Sequence, residues 1–154
     1  MRRRRFIAAA ASIAALPAGA QQNYGQQRFQ PAQDIGPLVA KLTGGATPER
    51  GGVTIELPQI AENGNSVPMH IAVASPMSAE DHVTAIHIIA ERNPRPLVAT
   101  YRFGPAAGKA DVSTRVRLAG TQKLRVLAAL SGGRFLLQEQ DVLVTSAACL
   151  DESM

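Results

Sequence analysis

The chain has 154 residues, enough for one domain and not comfortably for two, with 16 Lys and Arg against 12 Asp and Glu for a net charge of +4. One cysteine excludes any internal disulfide, so the core must hold by burial alone. Four of the basic residues are Arg2 to Arg5; without them 12 face 12, and no basic field remains to attract nucleic acid or an anionic membrane.

Those arginines open a targeting signal. Met1-Arg-Arg-Arg-Arg-Phe-Ile is followed by an apolar run from Phe6 to Leu16 and the small residues Ala18-Gly-Ala20. A basic start, a short apolar stretch and a small-residue site describe a cleavable secretory signal over residues 1–20. Eleven apolar residues are too few to cross a bilayer, which takes roughly 20. Arg3-Arg4-x-Phe6-Ile7 favours the twin-arginine route over general secretion. Residues 21–33 read as a glutamine-rich solvated linker, since half of residues 21–30 are glutamine.

A short helix is expected over Ile35 to Leu42, with Asp34 as N-cap, Ile35, Leu38, Val39 and Leu42 on one face, and Gly44-Gly45 as its stop. From Val53 the period becomes two. Val53, Ile55 and Leu57 form the inner face of a first strand, and Asn63-Gly64 signals a two-residue type I′ turn with positive φ at both positions. Met69, Ile71 and Val73 follow, then Val83 to Ala90, with Ile86 and Ile88 on one side and His87 on the other. Pro94 and Pro96 break that run. Ala99 to Phe103, Ala110 to Leu118 and Leu124 to Leu130 are the next three, and Phe135 to Val144 is the last, with a bend expected near Gln140-Asp141.

Seven strands separated by turn signals every 8–12 residues, with no helix between them, predict an all-β domain over residues 34–145: a seven-stranded antiparallel immunoglobulin-like sandwich behind one short N-terminal helix.

Few residues carry chemistry. His70, His82 and His87 lack metal-ligand spacing, and the spacing of five between the last two suits neither a helix face nor a strand face. No glycine-rich phosphate loop opens a helix, and Glu80-Asp81 reads as a solvated turn. No catalytic residues, metal or cofactor are therefore expected, and a Cys–His pair could arise only through the fold. What remains is Cys149, on an arm of residues 146–154 beyond the last strand. A cysteine near a terminus is not expected in the core, and an unpaired one in an exported chain points to intermolecular pairing or a reactive thiol.

Several stretches together resemble SoxY, the sulfur-carrier subunit of the periplasmic thiosulfate-oxidising system. They are Gly44-Gly-Ala-Thr-Pro48, Leu57-Pro-Gln-Ile-Ala-Glu-Asn-Gly-Asn65, Val67-Pro68, Ser75-Pro-Met77, Ala85-Ile-His-Ile88, Asn93-Pro94 and Val112-Ser-Thr-Arg115. The resemblance implies a periplasmic location, an immunoglobulin-like sandwich and a heterodimer with a SoxZ-like subunit. It implies that Cys149 carries sulfur intermediates covalently while a haem-containing sulfur-transfer enzyme, a sulfate-releasing hydrolase and a sulfane dehydrogenase act on them. The family arm ends in Gly-Gly-Cys-Gly-Gly, whereas here the same stretch reads Ala147-Ala148-Cys149-Leu150-Asp151. A SoxY-like binding or assembly subunit without the carrier cycle, and an enzyme using Cys149, are the alternatives.

Overall fold

The computed structural model describes residues 31–148; the signal segment, residues 21–30 and Cys149 to Met154 lie outside them. Helix α1 spans Gly36–Thr43, one residue later than its periodicity suggests. The N-cap is Ile35, without a side-chain cap bond, and not Asp34; Asp34 lies one residue earlier, and its Oδ1 accepts a 2.9 Å hydrogen bond from the Gly36 N–H. Gly44 ends it with φ of 64°, a left-handed value that suits a residue without a Cβ.

Nine strands follow: β1 (Glu49–Arg50), β2 (Val53–Glu56), β3 (Ile60–Ala61), β4 (Val67–Val73), β5 (Val83–Ala90), β6 (Leu97–Arg102), β7 (Ala110–Val116), β8 (Gln122–Leu130) and β9 (Phe135–Val144). Seven of them answer to the seven alternating runs. The other two, β1 and β3, are two-residue pieces that pair parallel with β9, so the pairing is not antiparallel throughout. The order is β1-β9-β8-β5-β6 in one sheet, with β3 also on β9, and β2-β4-β7 in the other. Alternation fixes which face is buried. Met69, Ile71 and Val73 of β4 and Val112 and Val116 of β7 meet Ile86 and Ile88 of β5 and Leu124, Val126 and Ala128 of β8 in one core between the sheets. At the edge, the Tyr101 hydroxyl on β6 donates to Thr114 Oγ1 on β7 at 2.8 Å and ties one sheet to the other.

Strand β5 sits inside the larger sheet and is buried on both faces, with Ile89 and Leu127 of β8 fully enclosed on the outer side. The N-terminal segment covers that side. Gln33, read as the last linker residue, already donates its N–H to Glu91 O at 2.8 Å. Val39, Ala40 and Thr43 of α1 face Arg125 and Leu137 across a cavity of about 330 Å³.

Two further sequence expectations are corrected. Strand β9 keeps an unbroken register with β8 from Phe135 to Val142, with no irregularity at Gln140-Asp141, and the Gln140 side chain donates to Leu57 O at 3.0 Å. Asn63-Gly64 is not a type I′ turn. Among the described residues only Met77 has positive φ outside glycine, and Gly64 is not among the positive-φ glycines. The link from β2 to β4 is a longer loop holding β3, and Gly64 serves another purpose within it.

Candidate functional site

The candidate site is the root of the C-terminal arm, where three loops meet at one end of the two sheets. Strand β9 ends at Val144, whose N–H donates to Thr121 Oγ1 at 2.9 Å. Thr145 turns toward the β3 loop: its N–H donates to Ala61 O at 3.0 Å and its hydroxyl to Glu62 O at 3.2 Å. A main-chain clasp follows. The Gly64 N–H donates to Ser146 O at 2.7 Å, the Leu118 N–H to Gly64 O at 2.8 Å, and the Ala148 N–H to Leu118 O at 2.9 Å. Ala148 is buried. The bonded structure thus runs three residues past the boundary expected after Thr145, and Cys149, outside the described residues, is the next residue in the chain.

Gly64 is what lets the three loops of the clasp approach. A Cβ there would lie 2.6 Å from Leu118 O, 2.8 Å from Ala148 N and 2.9 Å from Ser146 O. All three are main-chain atoms and cannot swing aside, so glycine is required for proximity, not for its dihedral freedom. Asn63 shapes the approach by accepting a 2.9 Å bond from the Asn65 N–H. The Asn-Gly pair was visible in the sequence, but its meaning depended on residues 54 and 84 positions further on.

A second set of side chains fixes the opposite wall. Asn93 and Gln122 are 5% and 4% exposed, in a domain whose other buried side chains are nearly all apolar. Asn93 Oδ1 accepts from the Ala119 N–H at 3.0 Å and from Gln122 Nε2 at 3.1 Å, while Asn93 Nδ2 donates to Arg117 O at 2.8 Å. Gln122 Oε1 accepts from the Arg92 N–H at 2.9 Å. Sequence reasoning picked out Asn93 only as part of a motif. Its partners are 24 to 29 residues away, beyond the reach of any local pattern.

Each of the three histidines has protein partners. His82 Nδ1 lies 3.1 Å from Ser78 O, and His87 Nδ1 lies 2.9 Å from Thr100 Oγ1. Burial, helped by the charge of Arg102, holds His87 below its ordinary pKa. His70 lies on the outer face of the smaller sheet, where strand register sets it opposite Glu56. Its Nε2 is 2.8 Å from Asp111 Oδ1 and its Nδ1 is 3.4 Å from Glu56 Oε2, the latter without hydrogen-bond geometry. The hydrogen bond that His70 donates to Asp111 is the main influence raising the His70 pKa; partial desolvation opposes it and the two carboxylate charges reinforce it. The carboxylates address different ring nitrogens, so they do not converge on a shared ion position. Among the described residues no three His, Cys, Asp or Glu side chains form a group able to hold a metal, and no helix is long and apolar enough to cross a membrane.

The profile of the family described as sulfur oxidation protein SoxY matches residues 39–149, most of the chain, and the match ends on Cys149. The chain belongs to the SoxY family. The solved structure of the sulfur carrier protein SoxY from Chlorobium limicola f thiosulfatophilum is 30% identical, covers 70% of this chain and 89% of its own, and superposes with a TM-score of 0.60. That likeness supports a sulfur-carrier role for the SoxY-family frame described above. Superoxide reductases share the fold at much lower identity. The neelaredoxin of Ignicoccus hospitalis is 16% identical over 61% of this chain and 80% of its own, with a TM-score of 0.55. A superoxide reductase from Thermotoga maritima, described as putative, is 18% identical over 78% and 97%, with a TM-score of 0.52. At such identity the likeness speaks for the fold alone. No curated relative matches the chain.

Proposed function

We propose that this chain is a periplasmic sulfur carrier of thiosulfate oxidation, holding sulfur intermediates covalently on Cys149 while partner enzymes process them. The observation that carries this reading is the clasp: main-chain hydrogen bonds hold the chain through Ala148, and the sole thiol, Cys149, is the next residue in the sequence. A carrier needs an attachment point whose origin is fixed and whose thiol can be offered to several enzymes in turn. Family membership and the match that ends on Cys149 support the same role.

In this reading the thiol and thiosulfate together lose one proton and two electrons as an S–S bond forms, and a haem-containing sulfur-transfer partner takes the electrons. Water then cleaves the terminal sulfonate as sulfate, leaving a persulfide on Cys149, and a sulfane dehydrogenase oxidises the remaining sulfur. The chain itself supplies the thiol and the frame and performs no catalysis. A SoxZ-like subunit completes a heterodimer, and the protein reaches the periplasm through its cleaved signal, on the twin-arginine route. The facing sheets, β2-β4-β7 against β9-β8-β5-β6, are taken as a Greek-key arrangement of immunoglobulin type.

The residues around the thiol favour a slower carrier than a glycine-flanked arm. Leu150 widens what must enter a partner's site, and Asp151 and Glu152 oppose both thiolate formation and the approach of an anion. The test is intact-mass spectrometry of the periplasmic protein beside Cys149→Ser. Sulfur adducts on the wild type and none on the variant are expected. A wild-type protein that never gains mass during thiosulfate oxidation would replace the carrier role with that of a binding or assembly subunit.

A further inference from the structure

We infer that Asn93 is the positioning residue of the arm: its side chain fixes the peptide of Leu118 against which the residue before Cys149 is held. The inference rests on the carrier reading for its purpose, and on the geometry of the described residues for its substance. Asn93 holds the main chain on both sides of Leu118 at once, donating to Arg117 O at 2.8 Å and accepting from the Ala119 N–H at 3.0 Å. Leu118 cannot drift between those grips, because its own side chain is fully buried in the core. Its two remaining main-chain groups, N–H and C=O, are the ones that meet Gly64 O and the Ala148 N–H. The path from the Asn93 amide to the last described residue is therefore two hydrogen-bonded steps long and passes through no exposed or flexible side chain.

Only a short carboxamide fits this role. One end must accept twice, from Ala119 and Gln122, and the other must donate to a carbonyl. Aspartate keeps the acceptors but sets a carboxylate against Arg117 O; alanine or serine leaves the part-buried Arg117 carbonyl or Ala119 N–H without its Asn93 partner, a costly state. Asn93 is anchored in turn: its own N–H donates to Ala90 O at 3.2 Å, and its carbonyl accepts from Gln33 Nε2 at 2.6 Å. The hub thus couples the N-terminal segment, the β5–β6 turn and the β7–β8 loop to the root of the arm. For a thiol handed to a partner's active site, the position of the root matters, since displacements near 1 Å can cost on the order of 100-fold in a reaction that depends on orientation.

The experiment uses the full mature chain and compares Asn93→Ala and Asn93→Asp with Val126→Ala, a core change in β8 away from the loops. Two readouts are taken under conditions where each variant is folded: hydrogen exchange at the Gly64, Leu118 and Ala148 amides, and the rate of sulfur loading on Cys149 with the partner enzymes. Asn93→Ala is expected to speed exchange at those amides by at least about tenfold beyond Val126→Ala, because their opening would become local instead of following global unfolding. It is also expected to slow loading by at least about tenfold. Asn93→Asp is expected to regain protection as the pH is lowered and the acid becomes able to donate to Arg117 O. Should Asn93→Ala not fold, the pH-dependent protection of Asn93→Asp decides the matter, and its absence would overturn the proposal. Exchange no faster than in Val126→Ala would overturn it too. Faster exchange with unchanged loading would leave Asn93 a structural residue and remove its positioning role. The exchange readout involves no sulfur, so a wild type that never loads would remove the carrier reading without touching the hydrogen-bond result.

Discussion

Among the described glycines of normal backbone conformation, Gly64 is the one where an added methyl group should cost this domain most. The added Cβ meets Leu118 O, Ala148 N and Ser146 O at 2.6, 2.8 and 2.9 Å, all nearer than such atoms approach, and none can rotate away. Relief means moving one loop of the clasp outward, which lengthens up to three main-chain hydrogen bonds. Overpacking of this kind costs about 1–3 kcal/mol, and each weakened bond about 0.5–1.5 kcal/mol. These costs overlap, because the movement that relieves the clash is the one that breaks the bonds, so a total of about 3 kcal/mol is expected. At roughly 2 cal/mol/K per residue for a domain near 120 residues, that lowers the melting temperature by about 12 °C. The assay is thermal unfolding by circular dichroism beside Gly104→Ala, where φ is −135° and the new methyl meets open space. Gly104→Ala should melt within a degree or two of wild type. A Gly64→Ala protein melting with it would refute the close-approach argument and with it the clasp as a constraint.

The remaining predictions concern charge and the arm. His70 has a folded pKa above its ordinary 6.5, so its stabilising contribution is full below that pH and is lost as pH rises through the raised value. His87 has the opposite sign: its pKa lies below 6.5, and its contribution is lost as pH falls from 6.5 toward the lowered value. Urea midpoints between pH 5 and 8 should therefore show His70→Gln removing the loss on the alkaline side and His87→Gln removing the loss on the acid side; identical profiles would contradict both. Arg125, 16% exposed in its side chain, is 2.6 Å from both Glu91 and Glu139, so Arg125→Met should destabilise by about 2 kcal/mol in chemical denaturation by removing the cation that Glu91 and Glu139 share, Glu139 keeping only the longer pairs to Arg50 at 3.8 Å and Lys123 at 3.9 Å. Changing residues 147–151 to Gly-Gly-Cys-Gly-Gly and deleting 152–154 should speed thiosulfate oxidation in a reconstituted system, with the screened charges accounting for no more than about tenfold; equal rates would show that the flanks of the thiol do not matter. N-terminal sequencing of the exported protein should begin at Gln21.

Most of the longer strands were legible because they bury one face, and alternation is the direct trace of that burial in Val53 to Leu57 or Ala110 to Leu118. Strand β5 shows the limit of the pattern. His87 and Ile89 lie outside the inter-sheet core cluster, yet both are buried, and no local signal in the strand announces burial on its second face. Two-residue strands such as β1 and β3 are too short to have a period at all. Gly64 was noticed for the wrong reason, since Asn-Gly is so strong a turn signal that it masked a requirement imposed by residues 118, 146 and 148. Cys149 was legible as the sole thiol, but the clasp leading to it was not, because it is made of main-chain groups that every sequence possesses. Glu56, His70 and Asp111 all lie on outward positions of their strands, but only the register between strands brings them together.

The two short strands have a consequence for the protein in concentrated solution. Strand β9 would otherwise end its sheet with ten residues of unpaired main chain, a length and apolar content that invite another molecule to add its own strand. Instead β1 occupies Leu136 and Leu137, β3 occupies Leu143 and Val144, and the Gln140 side chain engages Leu57 O in the gap between them. What remains is too interrupted to template a growing sheet. Under the proposed role, a carrier that meets several partners in turn thus has this border of its larger sheet closed by pieces of its own chain.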